Sequence, residues 1–328
     1  MNIVKFGKKS LKLFSTKNLV ILCVFGLIAL FIVKSDVYVK TTFQGIVLWA
    51  TTVLPSLLPF FFLTAILTKT INLSAVAEKI SPLSKFLYNA QGIALFVRIM
   101  SLLSGYPIGA KLLCDLYENR VITDKQVKKY CTFTSTSGPL FIVGAVGVGM
   151  FNDKLCGFVL LASHVLSSLL VGVVFRKMPD NGHIEPLSNK KVCNDVLYES
   201  IYSSVVSVAI VGGLISIFYT ISSVCNDLML LYPLQKILGQ IIGNDYARAF
   251  TCGLIECTKG ALMLSKLSKS SLSLSLTCAL ISFGGLSVWF QSFTYLKKCN
   301  VKFGVFLISK LLHGIFAFII CYAVSAIL

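Results

Sequence analysis

Seven apolar stretches dominate this chain, running over 18–35, 43–67, 131–151, 155–175, 200–222, 272–296 and 304–327. Each is near the roughly 20 residues that a helix needs to cross a ~30 Å hydrocarbon core. Of the 328 residues 56% are hydrophobic and only 13% are charged, with a mean hydropathy of +0.84. That is far below the roughly 25% charge of a soluble domain. Backbone polar groups in lipid must be satisfied within the segment, so the sequence predicts an all-α polytopic membrane protein.

The formal net charge is +17. A nucleic-acid partner would explain it, but the lysines and arginines lie between apolar stretches and form no continuous basic face, so membrane topology is the better reading. Lys5, Lys8, Lys9, Lys12 and Lys17 precede the first apolar run, Leu19 to Val33, with no small-x-small cleavage site after it. This layout predicts an uncleaved first span with a cytoplasmic N-terminus, over 1–42. Eleven cysteines are scattered singly without a CxxC pair, and there are only three histidines. They read as small buried hydrophobes, with no disulfide, no metal and no cofactor.

Two further apolar stretches, 86–113 and 237–265, are interrupted. In the first, Gly105, Pro107 and Gly109 crowd around Tyr106 within "LLSGYPIGAKLL". Its flanks are basic on both sides, with Lys79 and Lys85 before it and Arg120, Lys125, Lys128 and Lys129 after it. A chain that starts and returns on the positive side forms a re-entrant helical hairpin. The second stretch repeats the first at a constant offset of 151 residues: nine of the 32 positions in 82–113 are identical, among them Pro82 with Pro233, Gly92 with Gly243, Gly109 with Gly260 and Ala110 with Ala261. Matched glycines and prolines weigh most because they fix where the backbone bends.

"STSGPLF" (135–141) then faces "SFGGLSV" (282–288) at an offset shortened by four. Each unit reads span, hairpin, Gly-broken span, span. Unit 1 covers 43–175 and unit 2 covers 200–328, joined by a cytoplasmic linker over 176–199. Three crossings per unit invert the second relative to the first, an arrangement common among carriers. Arg176, Lys177, Lys190, Lys191, Lys297, Lys298 and Lys302 fall on the inner side by this count, whereas Lys259, Lys266 and Lys269 fall on or near the outer side, against the rule.

Broken helices at membrane depth must line a cavity or be buried in protein. Four breaks are expected, at Ser104 to Pro107, Ser135 to Pro139, Glu256 to Gly260 and Ser282 to Gly285. Half-helices starting there present free N–H groups and the positive end of the helix dipole, which suits an anion. The substrate-binding candidates are Ser104, Gly105, Tyr106 and Pro107 at the first tip, and Thr134, Ser135, Thr136, Ser137 and Gly138 at the first broken span. Ser282, Gly284, Gly285 and Gln291 belong to the second broken span. The serines and threonines equally suit capping of their own helices.

Glu256 and Lys259 stand three residues apart in the second hairpin, where each costs roughly 2.5–3.5 kcal/mol if left at a helix centre in lipid. A structural ion pair accounts for them as well as a functional site does. The functional reading gives Lys259 the attraction of an anionic substrate and Glu256 a coupling proton or cation. Arg98 and Lys111 are further charge-balancing candidates, with snorkelling to the surface as the alternative. His164 and His313 read as packing residues, with a proton relay as the alternative. No P-loop, HExxH or GxSxG is present, so an enzyme is not expected.

With "LLSGYPIGAKLL" followed by "TSTSGPLFIVGAVGVGMF" (134–151), the chain resembles the YlbJ/SpoVV family of sporulation integral membrane proteins, within the wider nucleoside-recognition or gate-domain group. The positions that carry the resemblance are Ser104, Gly105, Tyr106, Pro107 and Gly109, then Ser135, Thr136, Ser137, Gly138 and Pro139. The resemblance implies a transporter of dipicolinate (pyridine-2,6-dicarboxylate) in the outer forespore membrane, or cell membrane, of a sporulating bacterium. The inverted repeat itself predicts alternating access around a midplane site; a proton or sodium is the expected coupling ion, and a homo-oligomer is compatible with this. Alternatives are a gate-domain carrier for nucleosides or another small metabolite, and a non-transporting scaffold in spore formation.

Overall fold

A computed structural model describes residues 16–181 and 195–327. The lysines at 5, 8, 9 and 12, and Lys190 and Lys191 of the linker, lie outside the described residues. The described chain is helical: α1 (Thr16–Val33), α2 (Ser35–Thr70), α3 (Leu73–Tyr88), α4 (Gly92–Ser104), α5 (Ile108–Glu118), α6 (Asp124–Thr134), α7 (Phe141–Met150, π-helical) and α8 (Lys154–Val174). After the linker come α9 (Val196–Asp227), α10 (Tyr232–Ile242), α11 (Asn244–Ile255), α12 (Cys257–Leu267), α13 (Ser271–Phe283), α14 (Gly285–Leu296) and α15 (Phe303–Ser325). The protein is a polytopic helical membrane protein.

Five stretches among the described residues are long and apolar enough to cross a membrane unaided: Ser35–Thr70, Lys154–Lys177, Val196–Asp227, Ser271–Cys299 and Phe303–Ser325. The other two of the seven expected spans differ for physical reasons. The apolar part of α1, Lys17–Val33, is slightly short, and the 131–151 stretch is divided at Ser135 between α6 and α7. The 36–42 segment, expected as a connection, is helical. It makes α2 36 residues long, about 54 Å at 1.5 Å per residue, so one end projects past the hydrocarbon.

The elements of the two units recur in the same order, α2 to α8 matching α9 to α15. Contacts between units recur in pairs too: α6 packs on α15 as α13 packs on α8, α5 on α14 as α12 on α7, and α2 on α7 as α9 on α14. The α8–α15 and α2–α9 contacts pair equivalent helices directly.

Local chemistry explains the bends. Helix α3 begins at Asn72, whose side chain accepts the Ala75 amide, and ends at Asn89 in the left-handed region at φ 47°. The chain then turns by 88° into α4. Gly92 is required at that turn, since a Cβ would lie 1.7 Å from the Ala77 carbonyl oxygen. Helix α6 starts on a reciprocal capping box between Thr123 and Gln126. Both interrupted stretches fold as helical hairpins, α4–α5 and α11–α12. Their arms touch at small residues, Gly109 against Ser101 in the first and Gly260 against Gly253 in the second.

Candidate functional site

The two hairpin tips and the two broken spans meet around one small, partly open cavity. Gly105 and Tyr106 line it from the first tip, Ser137 and Gly138 from the first break, and Glu256 from the second tip. Gln291 lines it from α14, nearly two turns past the second break. Apolar side chains of α2 and α9, including Leu57 and Ile215, close the remaining side.

Close backbone approach builds this meeting point. Gly105 has φ 86°, and a Cβ there would lie 2.7 Å from the Gly138 nitrogen, so the first tip rests directly on the first break. Gly285 has φ 67°, and its Cβ would lie 2.9 Å from the Gly253 carbonyl oxygen. The second break is thus seated on the second hairpin in the same manner. Gly284, also at positive φ, ends α13.

His164 joins the two breaks. Its Nε2 accepts the Ser137 amide at 3.0 Å, and its Nδ1 is 2.8 Å from the Ser282 hydroxyl. Because Nε2 accepts, the ring proton of a neutral imidazole sits on Nδ1 and is donated to Ser282. The His313 ring packs against that of His164 at a tilt of 40°, with 4.7 Å between ring centroids, and its Nε2 lies 3.2 Å from the His164 carbonyl. The packing reading of both histidines thus has specific partners in the bundle.

The second tip is capped by its own acid. Glu256 is fully buried; its carboxylate accepts the Lys259 backbone amide at 2.6 Å and lies 3.5 Å from the Ser287 hydroxyl. The Lys259 side chain does not join the cavity lining. Its ammonium donates to the Tyr219 carbonyl at 3.1 Å and the Ser223 hydroxyl at 2.7 Å, and it lies over the Tyr219 ring. The Glu256–Lys259 side-chain ion pair weighed from the sequence is not among the salt bridges of the described residues.

The remaining candidates surround the site. The Ser104 hydroxyl donates to Thr64 at 2.8 Å, Pro107 leads into α5, and Thr136 lies 3.3 Å from Ser101. Thr134 and Ser135 carry buried hydroxyls without a partner among the described residues, and so does the side-chain oxygen of Gln291. Buried orphan polar atoms of this kind call for a ligand or ordered water. Arg98 is buried away from the cavity, donating to the Phe133 carbonyl at 2.8 Å and to Ser168 at 2.9 Å. Lys111 is half-buried on α5, outside the lining. No cluster of three or more metal-ligating side chains occurs among the described residues.

One residue escaped the sequence reading. Lys310, in the middle of α15 and 1% exposed, donates to the Tyr106 hydroxyl at 2.6 Å and to the Ser135 carbonyl at 3.0 Å. The signal was present, since an ionisable residue inside a 23-residue apolar span marks a functional site by default.

The chain is similar to the sporulation integral membrane protein YlbJ of Bacillus subtilis (strain 168). The two are 28% identical over 305 residues, which cover 83% of this chain and 74% of that protein. No family model matches the chain, and no solved structure does. The matched length takes in most of both units, so the similarity extends well beyond the tip motifs.

Proposed function

We propose that this chain acts in sporulation as a carrier for dipicolinate across the outer forespore membrane, by alternating access of two inverted units around the cavity at the hairpin tips. The similarity to a sporulation membrane protein supports the setting. The observation that carries the substrate class is the charge of the interior. Among the described residues four cations are buried, Arg98, Lys129, Lys259 and Lys310, against one buried carboxylate, Glu256. Such an excess is costly in a membrane protein and is offset when an anion binds.

Glu256 then has a role in coupling. A substrate carboxylate about 5 Å from an ionised Glu256 is opposed by about 3 kcal/mol at an effective dielectric of 20. A proton on Glu256 removes that repulsion, so dianion and proton bind together. The flat pyridine ring lies against Tyr106, while Ser137, the breaks and the Gln291 amide supply hydrogen bonds.

Uptake of labelled dipicolinate into proteoliposomes tests this reading, with and without proton and sodium gradients. Saturable uptake accelerated by an inward proton gradient is expected. A nucleoside is the second reading, favoured by one feature: the lining holds no Lys, Arg or His and a single carboxyl, Glu256, and its other polar groups are hydroxyls, a thiol and an amide. Uptake of labelled uridine, with none of dipicolinate, would establish that reading instead.

A further inference from the structure

We infer that Lys310 is the cation that receives a carboxylate of the substrate, and that its bond to Tyr106 is the latch the substrate displaces. The inference rests on the anion-carrier reading and names the residue that recognises the charge. Three buried cations lie near the hairpins and breaks, and their partners separate them. Arg98 is held by the Phe133 carbonyl, Ser168 and the face of Tyr88. Lys259 is held by Tyr219 and Ser223 on α9. Of the three charged groups, only the Lys310 ammonium bonds to a side chain that lines the cavity, Tyr106.

The bonding of Lys310 also leaves it under-compensated. Its ammonium has three N–H donors; the Tyr106 hydroxyl and the Ser135 carbonyl take two, and the group lies 4.6 Å from the Tyr106 ring centroid. Among the described residues no carboxylate is within ion-pair distance of it. A neutral hydroxyl is a weaker partner for a buried ammonium than a carboxylate, because charge-assisted bonds with both partners ionised are the stronger ones. An incoming carboxylate therefore competes well for Lys310.

Displacement has a mechanical consequence. Tyr106 belongs to the first tip, Lys310 to the last helix of unit 2, and the Tyr106 hydroxyl also lies 3.4 Å from the Ile281 and Ser282 carbonyls at the second break. These contacts tie the tip of unit 1 to two elements of unit 2. A carboxylate that takes the ammonium releases the strongest of them, so binding and freedom of the first tip are coupled.

Calorimetric titration of the purified full chain with dipicolinate and with its neutral diamide, pyridine-2,6-dicarboxamide, tests the inference. Wild type is expected to prefer the dicarboxylate. Lys310→Met should weaken dicarboxylate binding at least about 30-fold and change diamide binding little. Lys310→Arg should keep the preference, and so should Lys259→Met. Tyr106→Phe removes the competing hydroxyl and should tighten dicarboxylate binding several-fold; this variant keeps the inference testable even if Lys310→Met fails to fold. A Lys310→Met protein with the wild-type ratio of the two affinities, or one in which both ligands weaken equally, overturns the inference, as does a Tyr106→Phe protein that binds the dicarboxylate no more tightly than wild type. A wild type that binds no dicarboxylate overturns the carrier reading itself, and the inference with it.

Discussion

The two hairpin tips use one backbone device and opposite chemistry. In each, two short helices meet at a break, touch through small residues and rest against a glycine of a broken span. At the second tip the new helix is capped from within, by the carboxylate of Glu256 on the Lys259 amide. At the first tip no side chain caps α5, and the tip is held from outside by Lys310 of the other unit. One tip therefore carries its own negative charge, while the other borrows a positive one. A symmetric scaffold with asymmetric charge can bind an anion at one tip and a proton at the other, which is what coupled transport requires.

Neutralising the second tip should separate the two tips most. Glu256→Gln keeps an oxygen able to accept the Lys259 amide but cannot exchange a proton. We predict that proton-driven dipicolinate uptake falls at least about 100-fold, equivalent to about 2.7 kcal/mol, whereas exchange of internal for external substrate persists. Ser104→Ala at the neutral tip should leave the proton dependence intact. Proteoliposome uptake with an imposed pH gradient, beside counterflow without one, separates the two; a Glu256→Gln protein still driven by protons would remove the asymmetry.

A second test addresses the shared device. A Cβ on Gly109 would lie 2.2 Å from the Thr134 carbonyl oxygen, and one on Gly260 would lie 2.4 Å from the Gly253 α-carbon. Both obstacles are backbone atoms, so neither yields easily. Gly109→Ala and Gly260→Ala should each destabilise by about 1–3 kcal/mol, read as similar drops in melting temperature in detergent. A large drop at one site and none at the other would show that the hairpins are not equivalent.

Much of this architecture was legible because glycine and proline report backbone geometry directly. The 151-residue offset places Gly105 opposite Glu256, and these are the two tips; the shortened offset places Gly138 opposite Gly285, and these are the two seats. Side-chain direction was not legible. Lys259 faces α9 instead of the cavity because the first turn of α12 points it there, and hairpin spacing alone does not fix that rotation. Lys310 was missed for a related reason: its partners, Tyr106 and Ser135, are 204 and 175 residues away in sequence. The sequence predicts a packing role for His164 but not its partners: its two ring nitrogens bond to breaks from different units.

That clasp gives a third, smaller effect. His164→Leu deprives the buried Ser137 amide of its acceptor and Ser282 of its ring partner, at a cost of about 1–3 kcal/mol. His313→Leu removes one longer bond and some ring contact, so its melting temperature should fall less. Equal falls would mean that the clasp between the breaks contributes nothing beyond packing.

The smallest effect lies at the membrane surface, where the equivalent last helices of the two units begin differently. Asp153 caps α8 by accepting the Leu155 and Cys156 amides, whereas Lys302 at the start of α15 offers no side-chain cap. The Leu155 amide, then the Cys156 amide and Lys269, hold the Asp153 carboxyl below its usual range. A carboxyl whose pKa is lower in the folded state contributes stability above its unfolded value, near 4, and loses it as the pH falls through the folded value. The melting temperature of wild type should therefore fall more steeply than that of Asp153→Asn as the pH drops below about 4, and the two should differ most near neutrality. Lys302→Asp should install the missing cap in unit 2 and raise the melting temperature slightly. Parallel pH curves for wild type and Asp153→Asn would place the acid sensitivity elsewhere, with Glu256 the next carboxylate to examine.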